Sequence, residues 1–430
     1  MEPEQPPLEL QETRAAEEPG PAEPPHRHPV RLIVRDDLRR SRLTVFFRAL
    51  LALPHLVWLV LWGFAAWTAA FANWLAVVIS GETPTTFHGF LGAYVRYTTH
   101  VYAYLLLAAN PFPGFTGKPG YPLDIELDPP ARQSRWSALV RLLLAVPALV
   151  IASVLAPVTG VFGGGVLLVA AFLAWFTALV LGRVTPGLRD LMAYGLGYTA
   201  QAFAYSLLVT GRYPDSDPDA MLTRSSAPRH PVRLSFDDDL RRSRFTVLFR
   251  LPLTFPHFVW LTMWSAVAYV AAVANWLVAL VLGRSARPLH RFLAAYVRYA
   301  SHVSAYLFLV GNPFPGFTGR PGVYPVDVEI DGPGPQRRLV TLFRLVLAVP
   351  AFLVYGTLSA VLAVAAFFAW FAALITGRMP RGLRSLGAFA IRYGAQTTAY
   401  WVVLTDRYPH ALPTTRIQTP DAAGREAAPA

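Results

Sequence analysis

Residues 43–80 read LTVFFRALLALPHLVWLVLWGFAAWTAAFANWLAVVIS, a run with no acidic residue and only Arg48 as a full charge. As one helix at 1.5 Å per residue it would be about 57 Å long, well beyond a hydrocarbon core of about 30 Å. Two spans joined by a tight turn fit a bilayer better. An uncharged tip falls near Gly63, and the related runs place theirs near Thr159, Ser265 and Thr357. In the second run the turn is written out as Pro157-Val-Thr-Gly-Val-Phe-Gly-Gly-Gly165, inside an insertion. Pro147 lies 28 residues before Trp175, whereas the other runs have 20 residues between the matching positions. Insertions are best tolerated at exposed tips.

Outward from this run, one unit recurs four times. His28-Pro-Val-Arg-Leu and His230-Pro-Val-Arg-Leu open two halves offset by 202 residues, and Tyr121-Pro-Leu-Asp-Ile-Glu-Leu and Tyr324-Pro-Val-Asp-Val-Glu-Ile open a second unit in each. Proline stands 26 residues after every opening, at Pro54, Pro147, Pro256 and Pro350. Arginine recurs 14 residues after it (Arg42, Arg135, Arg244, Arg338) and 20 residues after it (Arg48, Arg141, Arg250, Arg344). Each apolar run ends on a tryptophan with glycine seven residues later: Trp74 and Gly81, Trp175 and Gly182, Trp276 and Gly283, Trp370 and Gly377. Tryptophan suits the membrane interface and glycine a helix C-cap. The units are bounded as 28–120, 121–214, 230–323 and 324–409. Residues 1–27, acidic and proline-rich, and 410–430 read as disordered, with a linker at 215–229.

Each unit opens on apolar–polar alternation, the mark of a half-buried strand. Val30, Leu32 and Val34 would share an apolar face with Leu123, Ile125 and Leu127, and all four openings are expected to pair in one small sheet. A third helical stretch follows each run; in the first unit it covers Phe87 to Ala109, with Arg96 and His100 at its centre. A central arginine costs about 2.5–3.5 kcal/mol on insertion scales, so an amphipathic helix in the interface is expected. The fold class is therefore mainly α and polytopic. It comprises four helical hairpins, about eight spans, each followed by an amphipathic helix, with short cytoplasmic strands. Arginine at every opening places both termini in the cytoplasm by the positive-inside rule. A rival arrangement has three spans per unit, twelve in all, with alternate units inverted.

Composition agrees with a membrane protein. Of 430 residues 54% are hydrophobic and 15% charged, and mean hydropathy is +0.38. The net charge of +12 comes from arginines that flank apolar runs, a placement suited to anionic headgroups rather than nucleic acid. There is no cysteine, which excludes disulfides and thiol catalysis. The N-terminal segment lacks an apolar h-region, so the first apolar run is expected to direct insertion.

Arg48, Arg141, Arg250 and Arg344 stand at the start of the apolar runs, from where a guanidinium can snorkel to headgroup phosphate. Arg96, His100 and Tyr104 are spaced to share one helix face; Arg298, His302 and Tyr306 repeat the stripe, and Arg392, Gln396 and Tyr400 vary it. The stripe reads either as an anion or proton-relay site or as a polar face that pairs with sheet and loop backbone, and the second is favoured. His55 and His257 read as interfacial residues rather than metal ligands, and Asn73 and Asn275 as interhelical hydrogen-bonders. Asn110-Pro-Phe-Pro-Gly-Phe-Thr-Gly and its copy at Asn312 read as a rigid turn with aromatic membrane contacts. No catalytic motif, cofactor site or metal cluster is expected.

The repeated arginine, Pro-His at Pro54 and Pro256, Gly-Arg-x-Pro at Gly377 and Tyr-Pro at Tyr213 and Tyr408 resemble the bacterial domain of unknown function 4389 family. That resemblance implies a membrane protein and supplies no catalytic residues; Glu82 and Gly197 depart from the pattern. The expected function is a non-enzymatic scaffold or lipid-associated protein of the bacterial cell membrane, with anionic lipids as partners. A small-solute transporter or channel built from repeats is the alternative.

Overall fold

The computed structural model describes residues 28–156, 165–222, 228–236 and 238–414. The first unit holds β1 (Val30–Val34), α1 (Arg42–Phe46), α2 (Arg48–Ser80) and α3 (Thr85–Leu105). The second holds β2 (Leu123–Leu127), α4 (Arg135–Leu139), α5 (Arg141–Leu155), α6 (Val166–Leu181), α7 (Pro186–Ser206) and α8 (Pro218–Met221). The third is β3 (Val232–Phe236), α9 (Arg244–Leu248), α10 (Arg250–Leu282) and α11 (Arg287–Leu307). The fourth is β4 (Val326–Ile330), α12 (Arg338–Leu342), α13 (Arg344–Thr376) and α14 (Arg381–Trp401).

The expected hairpins are replaced by continuous helices. α2, α10 and α13 each run 33 residues without a turn, about 50 Å, straight through Gly63, Ser265 and Thr357. Among the described residues three helices are thus long and apolar enough to cross a membrane, not eight spans. The tip residues need no turn because the helix satisfies them. The Ser265 hydroxyl donates to the Leu261 carbonyl and that of Thr357 to the Val354 carbonyl. Each long helix ends where the sequence placed its cap, on Gly81, Gly283 and Gly377 in the left-handed region at φ +80°, +68° and +70°. In the second unit the helix is broken between α5 and α6. The turn read there lies outside the described residues except for Gly165. A β-carbon on Gly165 would meet the Val154 carbonyl at 2.5 Å, so the break begins and ends at one place. Residues 141–156 and 165–181 together equal one uninterrupted helix of the other units in length.

The strands form two separate two-stranded sheets, β1 with β2 and β3 with β4, rather than one sheet of four. Within each the expected faces hold: Val30 pairs with Leu127, Leu32 with Ile125 and Val34 with Leu123. Three layers result. The sheets pack on the 21-residue helices α3, α7, α11 and α14, and the long apolar helices pack on those same helices. In α3 the two faces are distinct. Leu91, Tyr94, Tyr97 and Val101 meet α2, whereas Gly92, Arg96 and His100 meet β2.

Strands and helices are exchanged within each half. β2 lies on α3 of the preceding unit, and β1 lies on α7 of the following one, with Gln201 donating to the Val30 carbonyl at 2.9 Å. The ends of the long helices are exchanged too. The Gln133 N–H donates to the Gly81 carbonyl at 2.8 Å, and the Arg40 N–H donates to the Gly182 carbonyl at 2.9 Å. Trp74 Nε1 donates to the Ala138 carbonyl at 3.0 Å. The start of each unit therefore abuts the far end of its partner's long helix, which forces the paired long helices to run antiparallel. The second half repeats this through Gln336 to Gly283 and Arg242 to Gly377, both at 2.8 Å. The halves meet where α13 packs on α5 and α6.

Two boundaries move. The expected linker at 215–229 contains α8, whose Met221 packs beside Gly197 and whose Leu222 is buried. The ordered chain also continues past the expected end at 409, because Ala411, Leu412 and Thr414 are buried against α14 and its neighbours.

Candidate functional site

The repeated arginines at the start of the long helices point inward. Arg48, Arg141, Arg250 and Arg344 are at most 2% exposed. Each guanidinium closes the end of the 21-residue helix in its own unit, where carbonyls lack intrahelical donors. Arg48 Nη1 donates to the carbonyls of Tyr104 and Ala109, both at 3.0 Å, and the group lies over the Tyr104 ring at 4.4 Å. Arg344 donates to Tyr400 and Thr405 carbonyls at 3.1 and 2.6 Å and to Gln336 Oε1 at 2.7 Å. A cation here also meets the negative end of the helix dipole. These groups reach the chain's own carbonyls in place of headgroups: Arg48 and Arg250 also donate to the Asn110 and Asn312 carbonyls, and Arg141 and Arg344 to the side chains of Gln133 and Gln336.

The helices they close end in a backbone feature that sequence reading missed. Leu107, Leu208, Leu309 and Val403 adopt positive φ between 61° and 67° without being glycine. Their strained turn is held by donors to its carbonyls: Arg40 to Leu107 at 2.9 Å, Thr83 to Leu208 at 2.7 Å, Arg242 to Leu309 at 3.0 Å and Ser285 to Val403 at 2.7 Å. Nothing in an apolar Leu-Leu, Phe-Leu or Val-Val pair marks such a turn, since the capping groups lie far away in sequence.

The polar stripe is brought together as a set and turned onto the sheet. Arg96 Nε donates to the Ile125 carbonyl at 3.1 Å, and His100 Nε2 donates to Asp124 Oδ1 at 2.8 Å. Arg298 and His302 do the same with the Val328 carbonyl at 2.9 Å and Asp327 at 2.8 Å. Tyr104, Tyr306 and Tyr400 supply the faces beneath the arginines already described. In the fourth unit Arg392 donates to the carbonyls of Leu412 and Thr414, and Gln396 donates to the Val232 carbonyl at 3.0 Å. Glutamine in place of histidine follows from its partner: β1 and β3 offer a carbonyl, and β2 and β4 a carboxylate.

Asp124 and Asp327 are the site residues that sequence reading passed over. The available signal is an acid inside an alternating strand, two residues after the opening proline. Burial pushes the Asp124 carboxyl up, but donation from His100 and from the N–H groups of Gly120 and Ile125 outweighs it, so it lies below the ordinary carboxylate range. Asp327 behaves alike with His302, Gly322 and Val328.

His55 and His257 pair with the hydroxyls of Tyr97 and Tyr299 at 2.7 Å and stack on Phe115 and Phe317. Among the described residues no three His, Asp or Glu side chains converge as metal ligands would. Asn73 donates to the Leu207 carbonyl at 3.1 Å and Asn275 to that of Val402 at 3.1 Å, which ties α2 and α10 each to the neighbouring unit. The Asn-Pro loop straps α2 to α3, with the Phe115 carbonyl accepting from Trp58 Nε1 at 3.0 Å.

The family profile described as Domain of unknown function (DUF4389) matches residues 42–116, 135–215, 244–318 and 338–412. Each match begins at the first residue of a short helix and leaves the strands outside it. No curated protein and no solved structure matches the chain. With four copies covering most of its length, and each copy carrying the arginine-closed helix end, the chain belongs to the domain of unknown function 4389 family.

Proposed function

We propose that this protein is a non-enzymatic, lipid-embedded scaffold whose long helices lie along the membrane within one leaflet. The observation that carries this reading is the position of the charged sheet. β2 lies across the middle of α3, level with Gly92, Arg96 and His100, not at the end of the helical layer. Its outer side carries the ion pairs of Arg31 with Glu126 at 3.3 Å and with Asp128 at 2.7 Å, all partly exposed. Upright helices would hold these charges at mid-bilayer depth, where each costs about 2.5–3.5 kcal/mol. The opposite side is apolar from end to end: Leu50, Val57, Phe64, Trp67, Phe71 and Ile79 form one exposed stripe over the length of α2. A helix of about 50 Å that crossed a core of about 30 Å would show polar residues at both ends of that stripe. Lying flat, one helical layer suits the roughly 5–10 Å depth of an interfacial helix.

A second reading rests on the antiparallel pairing. If the three long helices cross the bilayer, paired units are inverted, the arrangement of many solute transporters. One labelling experiment separates the two. The chain has no cysteine, so Glu82→Cys and Arg183→Cys can each be labelled alone with an impermeant maleimide in sealed vesicles. These positions follow the far ends of α2 and α6 and lie at opposite ends of the layer. Labelling of both from one side is expected for the flat arrangement; labelling from opposite sides would establish the crossing one.

A further inference from the structure

The first and second halves differ in charge at the start of α3 and α11. At the start of α11, Arg287, His290 and Arg291 meet Arg298 and the loop residues Thr318 to Pro321 around a cleft of about 500 Å³, closed on its far side by Ile330, Gly332 and Pro333. Four arginines line it and, among the described residues, no carboxylate does. Arg298 is committed to the Val328 and Gly319 carbonyls and to Asp327. Asp331, beside the rim, is held by Arg233 at 2.9 Å. Arg287, Arg291 and Arg320 are exposed and have no ion-pair partner among the described residues. His290 is 4% exposed, and its Nε2 has no hydrogen-bond partner among the described residues. The first turn of α11 contains no acid and no side-chain cap, so its free N–H groups add positive potential.

We infer that this cleft binds a phosphate-bearing anion, and its position fits the headgroup of an anionic phospholipid. The loop that brings Arg320 to the cleft carries Phe317 three residues earlier, stacked on His257 of the long helix α10. The Phe317 carbonyl accepts from Trp260 Nε1 at 3.0 Å. The cleft thus stands at the border between the apolar layer and the sheet layer, the depth at which headgroup phosphates lie beside a flat amphipathic layer. Planar guanidinium groups can each bind two phosphate oxygens, which an ammonium cannot. The matching positions of the first half are Thr85, His88, Gly89, Arg96 and Lys118, so two arginines are lost and the third is a lysine. The site is therefore particular to the second half.

The headgroup assignment rests on the flat, lipid-embedded reading, whereas anion binding itself does not. The test uses the full chain in detergent and the variant Arg287→Gln/Arg291→Gln/Arg320→Gln, whose side chains are exposed and outside the core. Phosphatidylglycerol and phosphatidylcholine retention is read by native mass spectrometry, and inorganic phosphate binding by equilibrium dialysis. At about 1 kcal/mol per arginine, wild type should retain phosphatidylglycerol roughly a hundredfold more strongly than the variant. Phosphatidylcholine retention should not change. Retention that survives millimolar inorganic phosphate assigns the site to a lipid headgroup; displacement by it assigns a free phosphate ligand. Thr85→Arg/Gly89→Arg should add a second, weaker site in the first half. Equal phosphatidylglycerol retention and equal phosphate binding in wild type and the triple variant would overturn the proposal. The labelling of Glu82→Cys and Arg183→Cys reports on orientation independently of either result.

Discussion

The Arg48 guanidinium lies 4.4 Å above the Tyr104 ring while one of its nitrogens holds the Tyr104 carbonyl. The same residue thus supplies the face and the acceptor. Arg250 with Tyr306, Arg344 with Tyr400 and Arg141 with Tyr205 repeat the relationship at 4.4, 4.4 and 4.1 Å. The second pair is separated by 64 residues instead of 56, so the insertion leaves the contact untouched.

Arginine should not be replaceable by lysine at these positions. Arg344 bridges two carbonyls and the Gln336 amide, and Arg344→Gln leaves buried acceptors unpaired at a cost of about 3 kcal/mol. Arg344→Lys keeps the charge but loses the fork and the stack, and about 2 kcal/mol is expected. Thermal unfolding in detergent checks this; a lysine variant as stable as wild type would show that charge alone suffices.

The two glycines of the Asn-Pro loop should behave oppositely. Gly117 has φ +61°, and a β-carbon on it would meet the Ala93 carbonyl at 2.4 Å. Gly114 has nothing within 4 Å. Gly117→Ala is expected to cost about 2 kcal/mol or more from strain and displacement of α3, and Gly114→Ala under about 0.5 kcal/mol. Unfolding midpoints of the two variants decide the point.

Deletion of residues 157–164 should be tolerated. Its ends already meet at Gly165 and Val154, and joining them restores the uninterrupted helix length of the other units. Expression and an unfolding midpoint at or above that of wild type are expected, with a continuous helix in the second unit.

Acid should loosen the second half, where two buried histidines are held neutral. Burial lowers His230 to about 4, helped by the Arg392 charge, although the Val232 and Arg407 backbone groups oppose it. Burial, Arg392 and His230 lower His410 to about 3. The two rings stand 5.7 Å apart, and Gln396 faces His410. Both folded values lie below the ordinary histidine value, so the unfolded chain takes up protons first. Stability is complete above about pH 6.5 and declines as pH falls towards 4, by up to about 3 kcal/mol for His230 alone. His230→Gln/His410→Gln should flatten that decline in a pH series of unfolding midpoints.

The fourfold unit, the strand faces, the glycine caps and the 21-residue helices were all legible from spacing and period. Each leaves a local mark: alternation in Val30, Leu32 and Val34, or a glycine after the last helical turn. The long helices were misread because an apolar run has the same character whether it turns back or continues. Gly63 and Thr357 sit as easily in a helix as in a turn. The fate of Arg48 was equally hidden, since a basic residue at the edge of an apolar run looks alike whether it meets lipid or a helix end. Asp124 could have been found from the conflict between its charge and the apolar residues on either side.

The exchange of strands and helix ends has a bearing on ancestry. A solitary copy of this unit would leave α3 without β2, and Gly81 without the N–H of Gln133. Two copies complete each other reciprocally, and nothing in those contacts depends on which chain supplies the partner. A protein carrying one copy would meet the same demands by pairing with its twin. The present chain supplies both partners itself, twice over, and each half is free to differ from the other. Arg291, whose counterparts in the other units are Gly89, Asp190 and Ser385, is the kind of asymmetry that a dimer of identical chains could never acquire on one side alone.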